Sequence, residues 1–115
     1  MGLTIKQQQH LDRLIEALES DQYQQCVGTL RAGRKHYCVG GVMCEVDGSG
    51  YWLYGAFGYV FRHSGLGNAF TVPAQVREHF GISYQLMNEL EQANDHGATF
   101  KELATTLREW RQQYE

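Results

Sequence analysis

The chain has 115 residues, 43% of them apolar and 20% charged, which suits one domain over residues 1–115 and excludes a disordered segment. Its net charge is −3, and no cluster of Lys and Arg offers the phosphate-neutralising surface of a duplex nucleic-acid binder. No run approaches the roughly eighteen apolar residues of a membrane span, and MGLTIKQQQH has no apolar signal core, so no membrane partner and a cytoplasmic location are expected.

Thr4 is placed to cap a helix that reaches Ser20, because Leu11, Leu14, Ile15 and Leu18 recur at i, i+3, i+4 and i+7. Gln25 to Arg31 alternates with β-branched residues and predicts a short strand. A turn at Ala32–Lys35 follows, and His36-Tyr37-Cys38 is expected to pair back as a second strand. The most apolar run, His36 to Val46, holds two of the three cysteines and the Gly40-Gly41 pair. Its end, Val42–Val46, fits a buried helix better than a strand, since paired glycines weaken a strand. Asp47 to Gly50 is a turn.

Seven aromatics fall between Tyr51 and Phe70, interleaved with glycines, which predicts twisted β-hairpins followed by a loop at His63–Asn68. Pro73 suits the first turn of a helix ending at Gly81. Ser83 caps a further helix with Leu86, Met87 and Leu90 as its stripe. Asn94-Asp95-His96-Gly97 breaks it, with Asn and Asp expected to make local turn and capping bonds. Thr99 and Glu102 form a capping box for a last helix whose stripe is Phe100, Leu103, Ala104, Leu107, Trp110 and Tyr114. The expected class is therefore α+β: a small antiparallel sheet flanked by an N-terminal helix and two to three C-terminal helices.

Several of these strings together resemble a group of small uncharacterised proteins of bacteriophages and bacteria. Tyr23-Gln24-Gln25, Gly28-Thr29-Leu30 and the Cys38 to Cys44 core carry the likeness. Val72-Pro73, Phe80-Gly81, Asn94-Asp95 with Gly97, and Phe100 to Ala104 continue it. It spans about residues 15 to 107. The chain departs from the group at Tyr37-Cys38, where adjacent cysteines are frequent, and at Gly41, where a larger residue is usual. The resemblance implies a compact α+β domain in a phage or mobile-element setting, inside a bacterial host. It brings no activity with it. By analogy alone, small phage accessory proteins block or sequester a component of host defence.

The chemical inventory is sparse. Cys26, His36, Cys38 and Cys44 are four potential zinc ligands, but no C-x2-C knuckle is present, so no metal is expected. A thiol enzyme would use Cys38 or Cys44 with a histidine, yet an apolar run gives neither exposure nor an electropositive surround. No P-loop, dinucleotide fingerprint or metalloprotease pair occurs, and no cofactor is expected.

The aromatic stretch carries the main functional expectation. Unbroken alternation puts Tyr51, Leu53, Gly55, Phe57, Tyr59 and Phe61 on one face and Trp52, Tyr54, Ala56, Gly58, Val60 and Arg62 on the other. Trp52, Tyr54, Arg62 and His63, with Arg34 from the nearby turn, would then recognise a small nucleotide-like ligand or a host protein. The plainer alternative is that both faces are covered and the aromatics are core. The expected protein is a binding module rather than an enzyme, assembled as a homo-oligomer.

Overall fold

Thr4 opens the first helix, α1 (Ile5–Glu19), and the structure, a computed structural model, describes residues 2–56, 58–63 and 67–113. The Thr4 hydroxyl accepts from the Gln7 amide while the Gln7 side chain accepts from the Thr4 amide, closing a capping box. Leu11, Leu14, Ile15 and Leu18 are buried, so the periodic stripe is the helix's packing face. That face lies against α2 (Val39–Asp47) and α5 (Phe100–Gln112).

The expected strand over Gln25–Arg31 does not form. Only Gln24–Gln25 is strand (β1), and it pairs in parallel with His36–Tyr37 (β2). The ladder stops because the next groups have other partners. Gly28 turns left-handed at φ +78°, and its amide donates to Asp95 Oδ1 at 3.1 Å. Arg31 returns to make one antiparallel bridge with Tyr37. His36-Tyr37 is strand as expected, but Cys38 is not, and apart from the single Arg31 bridge the strand pairs in parallel rather than folding back.

α2 is the buried centre. Every residue from Val39 to Cys44 is buried, which accounts for the lack of a polar face in this run. It ends at Gly48, left-handed at φ +70°. The sheet follows: β3 (Gly50–Gly55), β4 (Gly58–His63) and β5 (Gly67–Ala69), antiparallel and in that order. The expected loop at His63–Asn68 is thus partly strand at Gly67 and Asn68, and positions 64–66 lie outside the described residues.

Three helices close the core. α3 (Ala74–His79) begins after Pro73 and stops where Gly81 takes φ +68°. Ser83 Oγ accepts the Leu86 amide at the start of α4 (Tyr84–Asp95). Thr99 and Glu102 cap α5, and those bonds hold the Glu102 carboxyl below its ordinary range. Phe100, Leu103, Ala104 and Leu107 are buried and Trp110 is half-buried, while Tyr114 lies outside the described residues. The architecture is α+β, with five helices and a three-stranded antiparallel sheet among the described residues. No helix among them is long and apolar enough to cross a membrane.

Candidate functional site

The β3–β4 register decides which aromatics share a face. Tyr51 faces Arg62, Trp52 faces Phe61, and Tyr54 faces Tyr59. Directly opposed residues of an antiparallel pair point the same way. Trp52, Tyr54, Tyr59, Phe61 and His63 therefore share one face, and Tyr51, Leu53, Val60 and Arg62 the other. The face assignment drawn from unbroken alternation is overturned for Tyr59, Phe61, Val60 and Arg62. Two residues separate the strands, and the reversal there exchanges odd and even positions. Phe57 lies outside the described residues.

On the Trp52 face the rings form a continuous edge-to-face row. Tyr23 meets Tyr37 at 5.1 Å, Tyr37 meets Trp52 at 5.8 Å, and Trp52 meets Phe61 at 5.1 Å. Phe61 is buried and anchors the row to the core, whereas Tyr54 is 75% exposed and rests on Tyr59 at 4.8 Å. Trp52 is half-buried, and its indole Nε1 donates to Glu45 Oε2 at 2.8 Å.

Arg31 sits at the heart of this row. Its guanidinium lies 4.2 Å from the Tyr59 ring, 5.0 Å from Tyr37 and 5.4 Å from Trp52. Nε donates to Gly33 O at 2.8 Å and Nη2 to Arg34 O at 3.0 Å, so the planar fork is fixed before any ligand arrives. The turn that carries it is closed by Ala32 N to His36 O at 2.8 Å. Arg34, Lys35 and His36 stand exposed beside it. Together with Gln24, Tyr37 and Glu45 they line an open groove of about 770 Å³. Burial first, and Glu45 second, push the Tyr23 and Tyr37 phenols up, so both keep their protons at neutral pH.

No protein-family model, curated protein or solved structure matches this chain.

Of the residues singled out from sequence, Arg34 lines the groove, whereas Trp52 and Tyr54 lie behind it: Trp52 is 5.4 Å from the Arg31 guanidinium, and Tyr54 rests on Tyr59, which the same guanidinium meets at 4.2 Å. Arg62 does not join them; it is exposed on the opposite sheet face, across from Tyr51 and Asn68. His63 shares the Trp52 face but lies at the far end of the hairpin, opposite Gly50 and Gly67. Arg31, Lys35, His36 and Tyr59 were not selected. The signal for three of them was present as R-A-G-R-K-H, basic residues packed into one short turn.

The thiols are placed differently. Cys38 and Cys44 are buried, and burial pushes the Cys38 thiol from 9.0 up to about 11 and the Cys44 thiol up as well. A nucleophile needs the thiolate, so neither is set for catalysis at neutral pH. Cys26 is half-buried, its Sγ donating to Thr29 O at 3.5 Å. Among the described residues no three His, Cys, Asp or Glu side chains are grouped to hold a metal. Iodoacetamide at pH 8 should label Cys26 first and reach Cys38 and Cys44 only after unfolding, as peptide mass mapping would show. A raised folded pKa also stabilises the neutral thiol. Stability from Cys38 is complete below pH 9 and is lost as pH rises through about 11, by about 2–3 kcal/mol. Because Cys44 acts in the same direction, urea midpoints of the native chain compared with Cys38→Ala across that window isolate it.

A second polar assembly was read from sequence as local turn bonding. It is long-range instead. Asn94, 1% exposed, accepts from the Val39 amide at 3.1 Å and from Gln25 Nε2 at 2.8 Å. Its own amide donates to Cys26 O at 2.9 Å. Gln25 also donates to Ala98 O and accepts from the Phe100 amide. Gln25, Gly28, Asn94 and Asp95 are thereby joined in one lock between β1, α2, α4 and α5. A third pair was also unforeseen. Asp47, its side chain fully buried, accepts from His79 Nδ1 at 2.6 Å and ties the ends of α2 and α3 together.

Proposed function

We propose that the chain is a non-catalytic binding module that captures a flat anionic ligand of nucleotide type. The observation that carries this reading is the pre-set Arg31 guanidinium on three aromatic rings, beside Arg34, Lys35 and His36 along one groove. Phosphate oxygens would meet Arg34, Lys35 and the open edge of Arg31. The base would stack toward Tyr59 and the exposed Tyr54, since base stacking on aromatic rings is sequence-tolerant. Glu45 places one carboxylate at the groove's rim, able to accept from a base amino group.

By analogy with small phage accessory proteins, the biological role we infer is sequestration of a host nucleotide signal. The paired burial of Cys38 and Cys44 argues against the thiol-enzyme alternative.

Titration calorimetry with nucleoside triphosphates and cyclic dinucleotides tests the reading. The variant Arg34→Ala/Lys35→Ala, changed only at exposed side chains, should bind about 10- to 100-fold more weakly than the native chain. Arg62→Ala should bind like the native chain. Affinity unaffected by the first variant would remove the groove as the site.

A further inference from the structure

A different groove runs between the 70–72 segment and α4. Two cavities adjoin there, of about 120 Å³ and about 260 Å³, and both are lined by Thr71 and Glu91. Phe70 lines the first cavity and Tyr84 the second, and they are 65% and 75% exposed. None of the lining residues belongs to the basic groove described above.

The middle of this groove is negative. Asp95 is held in place by the Gly28 amide at 3.1 Å and by Asn94 Nδ2 at 3.4 Å. Glu91 is half-buried, and burial together with Asp95 pushes its carboxyl up. Among the described residues no Lys, Arg or His forms an ion pair with either carboxylate. Arg77, on the wall of the larger cavity, is committed elsewhere: it donates to Ile82 O at 3.1 Å and lies 6.0 Å from the Tyr84 ring. A carboxylate partly removed from water and left without a cation is a cost that an incoming cation would offset. Each cavity also carries one exposed aromatic, a residue type that anchors protein interfaces.

We propose that this groove docks an extended segment of a partner protein carrying one lysine or arginine between apolar residues. The cation meets Glu91 and Asp95, and the apolar neighbours cover Phe70 and Tyr84. The partner is thus recognised by charge opposite to that of the nucleotide-type ligand, and the two sites are separable by mutation.

Panning a display library of random nine-residue peptides on the intact chain tests this, with the most enriched peptide then measured by fluorescence anisotropy. Enrichment of a Lys or Arg flanked by aromatic or aliphatic residues is expected. Affinity should fall about tenfold or more in Glu91→Gln and in Phe70→Ala, both checked for native circular dichroism. It should not change in Arg34→Ala/Lys35→Ala. No enrichment, enrichment of acidic peptides, or binding indifferent to both Glu91→Gln and Phe70→Ala would overturn the proposal.

Discussion

Replacing Asn94 with Leu should cost about 3 kcal/mol of folding stability, because it leaves the buried Val39 N–H without its partner and takes one bond each from Cys26 O and Gln25 Nε2. Gln25 Nε2 keeps its bond to Ala98 O. Leu matches Asn in branching but is bulkier, so overpacking at this buried position adds to the lost hydrogen bonds. Urea denaturation measures it as a lower midpoint with an unchanged slope. Gln25→Leu should cost less, since its carbonyl and amide serve the ends of only two segments, Ala98 and Phe100, besides Asn94. Because the two residues share a bond, the double variant should lose less than the two single losses combined, by about 1 kcal/mol. Strict additivity would mean that the lock is not one unit.

Gly41→Ala should be at least as damaging, by about 3 kcal/mol or more, or should leave no soluble protein. A Cβ at this position would lie 1.9 Å from Leu30 O and 2.9 Å from its carbonyl carbon. Those are backbone atoms, and the same carbonyl accepts the Cys38 amide at 3.1 Å, so the loop cannot retreat without losing that bond. Gly41 sits in a regular helix; what it supplies is room for close approach, not a left-handed backbone. Gly55→Ala is the control, because nothing lies within 4 Å of a Cβ there.

Four helices were legible because each carries its own evidence, whereas α2 was read only as Val42–Val46 and in fact runs from Val39 through the paired glycines to Asp47. α1 and α5 have capping boxes and a full apolar stripe, and α3 and α4 have Pro73, Gly81 and Ser83 as punctuation. The 25–31 segment was misread because its alternation competes with tertiary bonds, Gln25 to Asn94 and Gly28 to Asp95, that no local pattern reveals. The site was legible in part. Arg34, Trp52 and Tyr54 were visible as residue types, but Tyr59 joins them only through a hairpin register that reverses parity. Arg31 joins through a bridge to Tyr37 made by a segment that had been read as strand. Asn94 looked like a turn residue because Asn is one so often; its partners lie 55 to 69 positions away.

We propose above that the Arg31 groove holds a nucleotide-type anion. Native mass spectrometry tests it most directly, on the native chain and on Arg34→Ala/Lys35→Ala, both purified from bacterial cells without chelator and then offered a pooled set of mono-, tri- and cyclic dinucleotides. The expected result is a nucleotide-sized added mass on the native chain and little or none on the variant. A native chain that stays bare across the set, or a variant that carries the same added mass, would contradict it.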